Sequence, residues 1–186
     1  MSSLNLQIRR AEAVDRLPVY RMLELYQHDL SDIWDQDLDA HGEYGYALDS
    51  FWHDADCHAF VALVDGHYAG FALVDSAVRV GESGWWMSQF FVLKKYRRRG
   101  VGEALATNVF DRLPGRWEVG QMPDNLPAQA FWRRVIGQYT GQRFDERAIV
   151  TGWWQGIVQR FISDSKSGRS SEPSGGAASG SDETRA

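Results

Sequence analysis

Gln89 to Leu105 reads QFFVLKKYRRRGVGEAL. An apolar strand pattern runs directly into Arg97-Arg98-Arg99-Gly100-Val101-Gly102, and from there into a helical pattern. Glycine has no Cβ, so backbone amides near Gly100 and Gly102 can turn toward a ligand and approach it closely. The first amides of a helix lack an intrahelical partner and carry partial positive charge. A loop of this kind opening a helix suits a pyrophosphate, and three arginines beside it add counter-charge. Spacing excludes two other phosphate loops. A dinucleotide fingerprint needs a small residue where Leu105 stands. A Walker A loop needs Gly-Lys-Ser/Thr after four spacers, which is absent here. Two readings without a cofactor stay open: a solvated basic turn, and a nucleic-acid patch built on Lys94 to Arg99.

A second group with chemical potential is the acidic segment Asp29, Asp32, Asp35, Asp37, Asp39 and Glu43, with His41, Tyr44 and Tyr46 among them. Such a rim would attract an ammonium group, or simply keep a loop solvated. His53, Asp54, Asp56, Cys57 and His58 match no closed zinc spacing, so no metal is expected there. The pairs Trp85-Trp86 and Trp153-Trp154 are read as one core-facing and one surface ring each, since strand neighbours alternate. Trp153 and Trp154 could also support a homodimer surface.

These groups need elements to position them. Leu4 to Arg10 alternates as a strand, and Val19, Leu23, Tyr26 and Leu30 recur at helical spacing, predicting a helix over about 12–31. A short helix is expected near Ala47 to His53. Strands are expected over His58 to Val64 and His67 to Val74, joined by an Asp65-Gly66 hairpin turn. Trp86 to Leu93 is a strand and Gly100 to Leu113 a helix stopped by Pro114-Gly115. Arg116 to Gln121 is a strand, Asn125 to Ile136 a helix, and Arg143 to Val150 and Ile157 to Ile162 close the domain as strands. The order β-α-α-β-β-β-α-β-α-β-β combines an antiparallel meander with a βαβ unit, an α/β sandwich. From Ser163 to Ala186 there is no large apolar residue, so the folded domain is expected over 1–162 and a disordered Ser/Gly-rich tail over 163–186.

Asn125, Ala128, Phe131 and Trp132 open the last helix, after the strand that holds Glu118. With them, the chain resembles the GNAT superfamily of acyl-CoA N-acyltransferases over about 4–162. Arg97-x-x-Gly100-x-Gly102 is similar to the family's Q/R-x-x-G-x-G/A loop. Asn125-x-x-Ala128-x-x-Phe131-Trp132 is similar to its Asn-x-x-Ala-x-x-(apolar)-Tyr segment. The stretch containing PAQAFWRRVIGQYTG also resembles a small group of bacterial acetyltransferases with no established substrate. The resemblance implies a mixed, mostly antiparallel sheet, helices on both faces, and a splayed strand pair that receives acetyl-CoA. It places the backbone of Phe91, Val92 and Leu93 against pantetheine, with the amide of Val92 or Leu93 polarising the thioester carbonyl. Arg97, Arg98, Arg99, Gly100, Val101, Gly102 and Glu103 form the pyrophosphate loop. Asn125 would bond the cofactor, and Phe131 and Trp132 would pack along it.

Two departures bear on the chemistry. The family often carries a tyrosine acid where Trp132 stands, and indole N–H is no useful acid. A thiolate is nevertheless a tolerable leaving group near neutrality. Some members place a glutamate base on the strand that holds Gln89, and Gln cannot serve. Glu118 is the leading candidate base and Tyr139 a candidate acid, against plain readings of exposed carboxylate and core ring. The reading is an acetyl-CoA-dependent N-acetyltransferase that acts on a small-molecule amine, with a small cationic acceptor as one hypothesis. Its rivals are a non-catalytic acyl-CoA-binding module and a nucleic-acid binder. A formal net charge of −5 speaks against the latter. The lone Cys57, no apolar run long enough for a bilayer and no leader pattern at Met1 to Arg10 lead us to expect a cytoplasmic protein without membrane partners. The family also suggests a homodimer.

Overall fold

A computed structural model describes residues 5–164. The elements follow the expected order: β1 (Leu6–Arg10), α1 (Arg16–Trp34), α2 (Ser50–His53), β2 (His58–Val64), β3 (His67–Asp75), β4 (Trp85–Val92), α3 (Val101–Arg112), β5 (Gly115–Gln121), α4 (Leu126–Thr140), β6 (Asp145–Ile149) and β7 (Gly156–Ser163). The strands form one seven-stranded sheet in the order β1-β2-β3-β4-β5-β7-β6. All neighbours are antiparallel except β4 and β5.

Local chemistry accounts for the turns. Asp65 and Gly66 both take positive φ (51° and 78°), the pair of left-handed residues a type I′ hairpin requires. Ile8 and Leu6 of β1 pair with Ala62 and Val64 of β2, whose residues are all buried. α1 turns its Val19, Met22 and Leu23 onto one face of the sheet, where they meet Phe71, Leu73 and Phe91. α3 and α4 cover the other face, with Leu105, Val109, Phe110, Val135 and Ile136 packed on Val74, Trp117, Val119 and Phe161. Two layers of helix thus enclose the sheet from both sides.

Boundaries shift in places. α1 begins at Arg16, after a 3-10 turn at Ala13–Asp15, and extends to Trp34. α4 runs on to Thr140 and ends where Gly141 takes a left-handed conformation. Ser163, expected to open the tail, is the last residue of β7; it is buried, and its hydroxyl donates to Phe110 O at 2.6 Å. The rest of the expected tail, beyond Asp164, lies outside the described residues.

Candidate functional site

β4 and β5 share only two pairs, Trp85 with Trp117 and Trp86 with Glu118. Beyond them the strands part, and a cleft of about 1130 Å³ runs through the gap. Successive strand amides point to opposite edges. Leu93 N–H donates to Ala69 O at 2.9 Å, toward β3. Val92 N–H therefore faces the gap, on the same edge as its carbonyl, which accepts Arg97 Nε at 2.7 Å. Of the two amides expected to meet a thioester carbonyl, Leu93's is engaged and Val92's is the one left for a ligand. The Phe91 side chain points away from α3, against Tyr26 and Phe71 under α1.

At the far end of β4 lies the glycine loop. Gly100 (φ 79°) caps α3, and the first helical bond is Ala104 N–H to Gly100 O. The amides of Val101, Gly102 and Glu103 thus precede the helical ladder and are available to an anion. Gly102 faces Phe131: a Cβ there would stand 3.3 Å from its Cζ. Val101 contributes only backbone, since its side chain is fully buried. The arginines divide their work. Arg97 bonds Val92 O and Asp29 and lies over the Phe91 ring, so it ties the end of β4 to α1. Lys94 also pairs with Asp29, where burial raises the carboxyl and these two cations outweigh it, so that its pKa ends below the ordinary value. Arg98 lines the cleft, whereas Arg99 and Leu93 do not. Glu103 is neutralised by Arg134 at 2.7 Å. Two residues of the basic run, Lys94 and Arg97, are thereby taken up by Asp29.

The cleft wall beside the loop is aromatic. Phe90 lies 4.7 Å from Trp132 and 5.8 Å from Phe131 between ring centroids. Asn125 caps α4 with its side-chain oxygen, which accepts Ala128 N–H at 3.2 Å. The amide nitrogen is the part of Asn125 left to donate to a ligand.

The cleft continues to the opposite face of the sheet. Trp117 and Val119 of β5 point to α3 and α4, so Gly120 points the other way. There a Cβ on Gly120 would lie 2.2 Å from Trp86 Cη2 and 2.8 Å from Trp154 Cη2. The two indoles meet edge to face at 5.5 Å. Arg79 lies over Trp86 at 4.7 Å and over Trp153 at 4.9 Å. Tyr46 and Gln89 complete this end, with Gln89 Nε2 donating to Tyr46 Oη at 2.9 Å. Arg79 was missed at the sequence level because nothing in its own neighbourhood marks it. The Trp85-Trp86 pair also differs from expectation, whereas Trp153 is the surface ring and Trp154 the inward one of their pair. Trp86 is buried and Trp85 half-buried, so neither is a surface ring. Trp153 and Trp154 lie in the connector between β6 and β7, not on a strand, with Trp153 81% exposed.

Glu118 requires a correction. It is 4% exposed and is not part of the cleft wall. Its Oε2 accepts the backbone N–H groups of Arg79 and Val80, its Oε1 that of Gly81, and Arg160 stands 3.5 Å away. A carboxylate so engaged is a loop anchor rather than an available base. Tyr139 is likewise outside the cleft. Its hydroxyl lies 2.8 Å from both Asp111 and Ser163, and burial, with Asp111 adding to it, pushes the phenol up to about 12. It is a core group far from the gap between β4 and β5.

Half of the acidic segment is engaged locally. Asp29 is paired as described, Glu43 accepts from Tyr20 and stands 3.9 Å from Arg21, and Asp39 accepts the amides of His41 and Glu43. Of its acidic, histidine and tyrosine residues, only Asp29, Asp32 and Tyr46 line the cleft. Among the described residues no group of three or more His, Cys, Asp or Glu could hold a metal ion, and no helix is long and apolar enough to cross a membrane.

The acetyltransferase (GNAT) family model matches residues 19–137. The chain belongs to the GNAT family. Solved structures share the fold at low identity. An acetyltransferase from Thermus thermophilus is 16% identical with a TM-score of 0.62, covering 87% of this chain and 99% of that one. The ribosomal-protein-S18-alanine N-acetyltransferase of Escherichia coli is 18% identical with a TM-score of 0.59, over 88% and 97%. The spermidine N-acetyltransferase of Vibrio cholerae, solved with CoA and spermine, is 11% identical with a TM-score of 0.56, over 85% and 95%. No curated protein matches the chain. In this GNAT chain the matched segment carries the glycine loop, the open β4 edge and the start of α4, which are the parts that surround the cleft.

Proposed function

We propose that this chain transfers an acetyl group from acetyl-CoA to an amine acceptor by direct attack of the amine on the thioester. The observation that carries the reading is the parting of β4 and β5 beside the uncapped amides of α3. The groups present suit the cofactor. The α3 amides and Arg98 would hold the pyrophosphate, and Phe90, Phe131 and Trp132 would flank pantetheine. Bound acetyl-CoA supplies an activated acyl group with a thiolate leaving group.

Val92 N–H would donate to the thioester oxygen and stabilise the negative charge that develops there. A C–N bond forms as the C–S bond breaks, and the amine gives up a proton. Tyr46 is the hydroxyl that suits proton donation to the departing sulfur. Its oxygen already accepts from Gln89, which leaves its own proton free to turn into the cleft. The structurally similar Vibrio enzyme bears spermidine in its name, and it was solved with CoA and spermine, which supports an amine acceptor. A cytoplasmic setting is part of the same reading.

The alternative is a GNAT module that binds acyl-CoA without efficient turnover. Gln89 and Trp132, where the family often has Glu and Tyr, favour it. The first test is acetyl-CoA calorimetry on the wild type and on Gly102→Trp, with circular dichroism as the fold control. Binding that is lost in the variant supports the cofactor site, and no wild-type binding overturns the reading. Acetyl transfer across an amine panel then separates enzyme from sensor.

A further inference from the structure

The charges lining the cleft are Asp29, Asp32, Arg79, Lys94, Arg97, Arg98, Glu103 and Arg134. Asp29 pairs with Lys94 and Arg97, and Glu103 with Arg134. Arg98 belongs to the glycine loop. Arg79 is at the other end of β4, beside Trp86, six residues and about 20 Å of strand from Val92. At that end it is the only cation in the cleft wall, and no carboxylate among the described residues forms an ion pair with it.

The surroundings of Arg79 hold it in place and leave its charge unneutralised. Glu118 grips the backbone from Arg79 to Gly81. Two indoles sandwich the guanidinium, which attracts the cation to their faces without cancelling it. Nη1 donates to Ala77 O. The buried Nε–H meets no acceptor, although an enclosed donor without one is costly. Nε and Nη2 form the guanidinium edge that a carboxylate takes with both oxygens. Trp153, whose ring lies over the guanidinium, is 81% exposed. A phosphate, with nearly two charges, would call for further cations that this end does not have.

We propose that Arg79 reads a carboxylate on the acceptor, so that the substrate class is amines bearing a carboxylate remote from the reacting amine, such as long ω-amino acids, which the length of strand between Trp86 and Val92 requires. The inference names the acceptor for the acetyl transfer described above and rests on that reading. It replaces the cationic acceptor that the acidic segment suggested, because that segment presents only Asp32 unpaired to the cleft.

The test compares long ω-amino acids with their carboxamides as acceptors, for wild type, Arg79→Gln and Arg79→Lys. Wild type should favour the carboxylate form by about 10- to 100-fold in kcat/KM. Arg79→Gln should abolish the preference and Arg79→Lys should keep part of it, with acetyl-CoA affinity unchanged in both. A second readout needs no turnover: tryptophan fluorescence titrated with N-acetylated long ω-amino acids and with their amides, since Trp86 and Trp153 flank Arg79. Tighter binding of the carboxylate form in wild type, lost in Arg79→Gln, supports the proposal. Equal binding of both forms, or a preference that survives in Arg79→Gln, overturns it. Should acetyl-CoA fail to bind, the transfer reading falls while the fluorescence titration still decides Arg79. Should amines be acetylated without regard to the carboxylate, the Arg79 inference alone falls.

Discussion

Glu118 Oε1 accepts the backbone N–H of Gly81 at 2.6 Å, across 37 residues of chain. With Arg79 and Val80 on Oε2, this one carboxylate holds three consecutive amides of the β3–β4 connection. The connection in turn carries Arg79 to the cleft mouth. Charge-assisted bonds of this kind contribute about 1.5–3 kcal/mol each, and not additively. Glu118→Ala should therefore lower stability by about 2–4 kcal/mol in urea unfolding. In transfer assays it should raise acceptor KM while the pH profile of kcat keeps its shape. Loss of a pH limb in kcat would instead return Glu118 to the role of base.

Gly120 allows Trp86 and Trp154 to rest directly on β5. In Gly120→Val both rings must move, at a cost of about 1–3 kcal/mol. Acetyl-CoA affinity should stay as in wild type, because the glycine loop is on the other side of the sheet. Acceptor KM should rise. Equal losses for both ligands in calorimetry would contradict this separation of faces.

Tyr46 and Tyr139 should separate cleanly. Tyr46→Phe removes the proposed donor and should lower kcat by about 100-fold with acetyl-CoA affinity retained. Tyr139→Phe removes a core hydroxyl and should cost about 1 kcal/mol of stability without changing kcat. Steady-state kinetics and thermal unfolding of the two variants check both statements.

Asp15 governs the acid limit of stability. It is fully buried and accepts from both terminal nitrogens of Arg9, from Tyr68 Oη at 2.6 Å and from Glu12 N at 2.7 Å. Burial alone would raise its pKa, but these donors outweigh burial and hold it at about 2, below the ordinary 3.8. A depressed carboxyl stabilises the fold above its unfolded pKa and stops doing so as pH falls through the folded one. Roughly 2 kcal/mol should be lost between about pH 4 and pH 2. Asp15→Asn should be less stable at neutral pH and should lack this part of the acid dependence in denaturant titrations.

The order of elements was legible because local rules govern it. Val19 and Leu23 mark one helical face, Asp65-Gly66 can form a tight hairpin, and Gly100 frees the first amides of α3. Each depends on residues a few positions apart, and the structure agrees at every one. The proposed cofactor end of the cleft shares this property, since the loop and the helix that follows it are contiguous in sequence. The proposed acceptor end does not. Arg79, Trp86, Gly120 and Trp153 come from four separate segments, and sheet order alone assembles them. Glu118 had the composition of a base and became an anchor because residues 79–81 fold back onto it. Which groups keep a free hydrogen-bonding edge depends on long-range pairing, and that was decided only when the sheet closed around them.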